Sequence, residues 1–392
     1  LIALEATRTR LYERLTELQQ GGLSLQQGYA LLRTRVGGDA TFLARACGIP
    51  AASATSLDKA FEDFVGTYLE NSDLPAVARP RIYLRVSDGG LGMHSVAATA
   101  PAANAASWHS CIPHILKRME LPTVSALTTA SPWCAASLPA CTLQIQLASG
   151  DPAAIVGDPD ISASQRTLAS APLAAAAVKA RALIATTGRA AQAAFRSAGG
   201  PGSAGWLLPP SLAPHFLSNP AFRVALRTRL DLDIPCQVGL CQHRDAAGTI
   251  CGHPLDAKGQ HSRSCRKGGW LVKKHNSCVD ELAVWCNNNH AYTIKEAIIP
   301  NANPDHPEAR IDLIVQIPGH APIYVDVTIV SALAQEPMRR GSTLKDGVAC
   351  ELAARAKQAK YPGITVCAFV VEEHGRFGED AMNFLKKVAP QD

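Results

Sequence analysis

The chain predicts an α+β multidomain fold, with a mostly helical N-terminal half, a small Cys- and His-rich segment, and a C-terminal α/β domain on a mixed sheet. Three observations carry this. The 392 residues are 47% hydrophobic and 18% charged, enough apolar material for more than one core. Cys and His crowd a single window, 236–265. Beyond it, apolar runs alternate with one helical run in the order strand, strand, strand, helix, strand.

Residues 1–80 read as short amphipathic helices: Leu11, Leu15 and Leu18 recur at helical spacing, and Gly21-Gly22 stops the run. Residues 81–87 look extended, ended by Gly89-Gly90. Residues 96–198 are Ala-rich and helical, 167–192 being one such stretch, and 199–205 form a Gly-rich loop. Residues 270–290 look helical. Strands are expected at 292–299, 311–317, 323–330 and 364–371, with a helix at 344–361. The implied divisions are 1–110, a connecting region 111–235, the Cys/His segment 236–268 and the α/β domain 269–392.

Thirty-eight basic against 33 acidic residues give a net charge of +5. That excludes bulk disorder and a histone-like electrostatic coat on nucleic acid. Residues 121–150 carry no charge, but Pro122, Pro132 and Pro139 among many Ser and Thr make a poor bilayer span, so no membrane partner is expected. Arg8 and Arg10 interrupt the apolar residues of the N-terminus, which lacks a signal peptide. The twelve cysteines are accordingly read as reduced and intracellular, some of them metal ligands, in a piece of a longer protein.

Between 236 and 265 stand Cys236, Cys241, His243, Cys251, His253, His261 and Cys265, where composition alone would place about two such residues. Zinc takes four thiolate or imidazole ligands in a tetrahedron. The best four are Cys241, Cys251, His261 and Cys265, separated by nine, nine and three residues. Gly248, Gly252 and Gly259 let the long loops turn. Cys236 is an alternative to Cys241, and Cys241 with His243 a weaker pair. Four protein ligands make a closed, structural site, so the segment is zinc-stabilised and carries no chemistry. From 257 to 279 the charges are all basic: Lys258, Arg263, Arg266, Lys267, Lys273 and Lys274. Such a surface suits phosphate contacts, with a solvated face as the plainer alternative.

The strongest chemical signal is one Asp inside each of two apolar runs, Asp312 and Asp326. A carboxylate in a central strand is costly unless paired or bound to a cation. Period-two geometry puts Tyr324, Asp326 and Thr328 on one face and Val325, Val327 and Ile329 on the other. The two acids converging would make a hard-oxygen site for Mg²⁺ or Mn²⁺, with Glu296 as a third acid from a neighbouring strand. The alternative makes each Asp a cap or a salt-bridge partner of Arg310 or Arg355. Cys278, Leu282, Trp285, Cys286, Cys350 and Cys367 read as core, and so do Trp270 and Tyr324 in preference to base stacking. No Tyr/Phe-x-Asp-Asp occurs, so no polymerase site is expected.

Asp-x13-Asp-x-Thr behind a Cys/Cys/His/Cys cluster resembles the restriction-like endonuclease region of non-LTR retrotransposon polyproteins, a branch of the PD-(D/E)XK nucleases. Cys251-Gly252, Leu255-Asp256, Gly259, His261, Cys265, Gly268-Gly269 and His275-Asn276 are similar to that family's zinc segment and first nuclease helix. Arg310-Ile311-Asp312 stands where Arg/Lys-Pro-Asp is usual, with Ile for Pro. Asp326-Val327-Thr328 stands for Asp/Glu-x-Lys, and the missing lysine is displaced in this family onto the next helix before a Tyr, as in Lys357-Gln358-Ala359-Lys360-Tyr361. Lys357 and Lys360 are nearly equal candidates. The resemblance covers roughly 236–380. It extends weakly to Gly89-Gly90-Leu91-Gly92 and the Ala-rich stretch that follows, which makes 1–75 thumb helices.

The resemblance implies a restriction-endonuclease-like C-terminal domain and a Mg²⁺-dependent nick in target DNA that leaves a 3′-hydroxyl to prime reverse transcription of element RNA, in the nucleus. Asp312 and Asp326 would hold the ion, Glu296 would assist, Lys357 or Lys360 would polarise the phosphate, and Arg266, Lys267, Lys273, Lys274 and His275 would bind DNA. Two alternatives stay open: an inactive zinc-stabilised nucleic-acid-binding module from a decayed element, and a general repair or junction-resolving nuclease.

Overall fold

The computed structural model describes residues 2–71, 73–210, 215–235 and 239–389. They form two compact units. The first comprises Leu1–Arg85, Leu91–Ile184 and Leu207–Arg223, and the second Val86–Gly90, Ala185–Trp206 and Val224–Asp392.

The first unit is helical. Its elements are α1 (Ile2–Gln20), α2 (Leu25–Cys47), α3 (Ala51–Tyr68), α4 (Arg79–Tyr83), α5 (Val96–Arg118), α6 (Val124–Ala130), α7 (Pro132–Ser149) and α8 (Gln165–Ala185). Gly21-Gly22 ends α1 as expected, and α2 opens on a capping box in which Ser24 and Gln27 satisfy each other's backbone N–H groups. The uncharged stretch 121–150 becomes α6 and α7. Cys134, Leu138, Cys141 and Ile145 recur at helical spacing and pack with Trp108 and Ile112 of α5. Among the described residues α8 is the one helix long and apolar enough to cross a membrane, a property the chain was not expected to have; 28% of that window is buried.

The expectation of an extended 81–87 fails. Arg79–Tyr83 is helical and Val86–Asp88 is a 3₁₀ turn. Pro80 explains it, because in a first helical turn its fixed φ favours the helix and its missing N–H costs nothing. The helix expected at 167–192 is likewise broken between α8 and α9 (Arg189–Ser197).

The second unit adds α10 (Asn219–Arg229, shared with the first unit), α11 (Gln260–Ser264), α12 (Trp270–Asn288), α13 (Gln335–Arg339), α14 (Val348–Lys360) and α15 (Glu379–Val388). Its four-stranded sheet runs in the order β1 (Tyr292–Ile298), β2 (Arg310–Gln316), β3 (Ile323–Val330), β4 (Val366–Glu372). The pairs β1–β2 and β2–β3 are antiparallel and β3–β4 is parallel, the mixed sheet that was predicted. Val279, Leu282 and Cys286 of α12 and Phe384 of α15 pack on Leu313, Val315, Val325, Val327 and Phe369. On the other face Cys350 of α14 meets Ala368 and Val370. Covering both faces is what makes β2 to β4 read as apolar runs, so a carboxylate among them has a specific reason to be there.

Candidate functional site

Two clusters of functional side chains occupy the second unit. The first is the Cys/His segment. Residues 239–255 form a small hairpin whose arms exchange backbone bonds, Cys241 N–H to His253 O and Cys251 N–H to His243 O among them. The turn at Gly252 (φ 67°) and the αL N-cap at Gly259 (φ 65°) need glycine's freedom, and a Cβ at Gly259 would collide with Ile234. Asp256 then caps α11 by accepting the N–H groups of Gln260 and His261.

This brings Cys241, Cys251, His261 and Cys265 together with all ligand atoms within 4.8 Å of one another, a group that can bind a metal such as zinc. Zn–S bonds of about 2.3 Å and Zn–N of about 2.0 Å in a tetrahedron require S···S edges of roughly 3.8 Å and S···N edges of roughly 3.5 Å. The Cys241–Cys265 sulfurs are 3.7 Å apart, and Cys251 Sγ lies 3.5 Å from His261 Nε2. Burial and the neighbouring His253 ring, stacked at 4.4 Å, hold the His261 imidazole below its usual pKa and therefore neutral, as ligation needs. The alternative ligand Cys236 lies outside the described residues.

The second cluster is the acid pair. β2 and β3 pair at only three positions, Leu313↔Val325, Ile314↔Tyr324 and Val315↔Ile323. The same register carried one step further sets Asp312 opposite Asp326, but there the ladder stops. Instead the Asp312 Oδ2 accepts the Val327 N–H at 2.6 Å. From α12, His275 Nε2 lies 3.3 Å from the same oxygen and 3.1 Å from the Val327 carbonyl. From α14, Lys357 Nζ donates to Asp326 Oδ1 at 2.6 Å, while Lys360 Nζ stands 3.7 Å from Oδ2 and 4.6 Å above the Tyr361 ring. The expected partners Arg310 and Arg355 do not take these roles.

Burial raises the Asp312 carboxyl above the ordinary range, and the facing Asp326 charge raises it further, against the Val327 N–H and His275. Burial opposes protonation of His275, yet the Asn276 side chain and the Asp312 charge leave its pKa raised. Burial first, and then Asp326, push the Tyr361 phenol up; its hydroxyl donates to the Arg310 carbonyl at 2.8 Å and ties the end of α14 to the start of β2.

Because Asp312 binds protons more tightly folded than unfolded, the native state holds more protons in that window, and stability falls as pH rises from the unfolded value of about 3.9 through the raised native one. Without added magnesium, Asp312→Asn, whose amide oxygen can still accept the Val327 N–H, should flatten that part of the pH–stability curve. It should also melt above wild type at neutral pH. Denaturant melts across pH check this, and an Asn variant less stable than wild type at pH 7 contradicts it.

Glu296 falls between the pairs Lys295↔Leu313 and Ala297↔Ile311, across from Asp312. It is exposed, with a left-handed φ of 55°. A non-glycine residue held there is strained, and such strain gathers at functional sites.

The basic stretch is largely spent internally. Lys258 pairs with Asp231 and Asp233, Arg263 with Glu373, and Lys267 with Asp245 at 3.1 Å. Lys274 reaches the Arg263 carbonyl. Arg266 is exposed, and Lys273 lies 5.5 Å over the ring of Trp270, which is itself half exposed and not core as expected.

Sequence reasoning missed Asn303. Its amide donates to the Lys360 carbonyl at 2.7 Å while its oxygen accepts the N–H groups of Asp305 and His306. The Asn-Pro-Asp turn signature was the available signal. No family model matches the chain, and no curated protein matches it.

Proposed function

We propose that the second unit is a metal-dependent endonuclease that hydrolyses a DNA phosphodiester. The observation that supports it best is the Lys357–Asp326–Asp312–His275 chain at the point where β2 and β3 part. Asp326 Oδ2 is buried without a hydrogen bond, and Asp312 spends only Oδ2 on its two partners. Two crowded carboxylates with oxygens to spare are the donor set of a hard divalent cation such as Mg²⁺ or Mn²⁺. When bound, that ion would neutralise phosphate charge and lower the pKa of water.

The chain's own residues do the rest. Asp312 and Asp326 hold the position, and His275 and the Val327 N–H orient Asp312. Lys357, or Lys360 beside it, faces the non-bridging phosphate oxygens and stabilises charge developing there. Water oxygen adds to phosphorus and the P–O3′ bond breaks. The 3′ oxygen takes one proton, and the other is released from the new 5′-phosphate. By resemblance to the non-LTR retrotransposon endonucleases, the 3′-hydroxyl primes reverse transcription of element RNA, with a polymerase supplied elsewhere, and the setting is nuclear.

Supercoiled plasmid incubated with the full chain in Mg²⁺ should become nicked circle, and nicking should vanish with EDTA and with Asp326→Ala whose circular dichroism matches wild type. Plasmid that is bound but never nicked rejects the enzyme in favour of the inactive nucleic-acid-binding module, a reading favoured by the Ile at 311 where the resemblance expects Pro.

A further inference from the structure

The first unit holds a buried cation that the nuclease reading does not use. Arg8 of α1 is 3% exposed. Its Nη2 donates to the Val36 carbonyl at 2.7 Å and so fixes the guanidinium. Nε and Nη1 have no hydrogen-bond partner among the described residues, and neither does the hydroxyl of Tyr12, one turn further along. Arg8 and Tyr12, with Glu5, Thr9 and Ser56, line a cavity of about 180 Å³ between α1 and α3.

A guanidinium does not lose its proton in a protein, and its buried N–H groups are costly without acceptors. The nearest carboxylate does not serve. Asp58 faces the Arg8 charge, but its oxygens accept the Ser95 hydroxyl at 2.6 Å and the Val96 and Ala97 N–H groups at 2.7 and 3.1 Å, capping α5. The Tyr12 ring is held by Phe64, stacked at 4.4 Å and 12°. Burial pushes its phenol up to about 12, so the hydroxyl keeps its proton and remains a donor. The donors therefore come from two side chains in different directions, facing a space equal to roughly six waters at about 30 Å³ each. A planar carboxylate underfills such a space, whereas a tetrahedral oxyanion offers oxygens to both side chains at once.

We propose that the cavity between α1 and α3 is a phosphate-binding site in which Arg8 supplies the charge and two donor nitrogens and Tyr12 supplies a hydroxyl donor. The phosphate is either free or the terminal group of a nucleic acid, and the site is independent of the nuclease reading. Glu5, exposed at the cavity's edge, opposes the ligand's charge.

Calorimetric titration of the full chain with inorganic phosphate tests this, with acetate as control and an oligonucleotide carrying or lacking a 5′-phosphate as a further arm. Inorganic phosphate should bind once per chain. Tyr12→Phe, which keeps the ring stacking, should weaken it on the order of tenfold, the worth of a hydrogen bond to an ion. Glu5→Gln should tighten it about two- to fivefold, as expected for an exposed charge. Arg8→Gln endangers the fold, so the two milder variants decide, their thermal melts matched to wild type. Binding that requires the oligonucleotide's 5′-phosphate and weakens in Tyr12→Phe assigns the site to nucleic-acid ends. Absence of phosphate-dependent heat in every arm, or affinities indifferent to both variants, overturns the proposal and makes the cavity a hydrated void.

Discussion

Lys357→Met is expected to lower Mg²⁺-dependent nicking by about 10²–10³-fold, the loss typical when a fixed donor to developing charge is removed. Lys360→Met should cost about tenfold or less. The two lysines differ in position more than in chemistry. Lys357 is 22% exposed at 2.6 Å from Asp326, whereas Lys360 is 46% exposed at 3.7 Å and rests on the Tyr361 ring. A less screened ammonium in direct contact acts in a lower dielectric, where its charge is worth more. Methionine keeps most of the aliphatic stem, so packing along α14 survives. The change still leaves the Asp326 carboxylate short of a partner, at a stability cost of roughly 2 kcal/mol, below that of a fully buried pair. Nicking rates are therefore compared well below each variant's melting temperature. A rate that falls only in proportion to the folded fraction would show that Lys357 serves the fold alone, and a larger loss for Lys360→Met would reverse the assignment.

The parts of this site that the sequence made legible are those governed by local pattern. Asp312 and Asp326 stood out because β2 and β3 are covered on both faces, which makes any charge among Ile and Val conspicuous. The zinc ligands stood out by residue type and spacing. What stayed hidden depends on tertiary geometry. His275 and Asp312 are 37 positions apart, and nothing near either one announces that α12 delivers the imidazole to the end of β2. Lys267 looked like a phosphate-binding residue because its partner Asp245 lies across a turn, outside the run of basic residues. The segment 81–87 was misread for a more local reason: Ile82 and Leu84 are both buried and imitate strand alternation, while Pro80 had already committed the chain to a helical turn.

Stripping zinc with 1,10-phenanthroline, or replacing Cys251 by Ser, is expected to unfold 239–266 while leaving the four-stranded sheet standing. Among residues 239–269 only Cys241, Gly259 and Cys265 are buried, so this segment owns no hydrophobic core. Its hairpin and the five-residue α11 are far too short to persist alone. Metal ligation, worth on the order of 10–16 kcal/mol in zinc-finger peptides, is then the main force ordering them. The sheet, by contrast, has its own cores on both faces. Amide hydrogen exchange should accordingly lose protection at the Cys241, Cys251, Gly252 and Leu255 N–H groups, with β2 to β4 unchanged. The loss should also reach the acid pair indirectly, because Arg263 of α11 is bound to Glu373 just past β4 and its carbonyl receives Lys274, the neighbour of His275. Nicking should therefore fall by a smaller factor than in Asp326→Ala. Full protection in 239–266 after verified zinc removal would mean that these four side chains stand together without needing a metal.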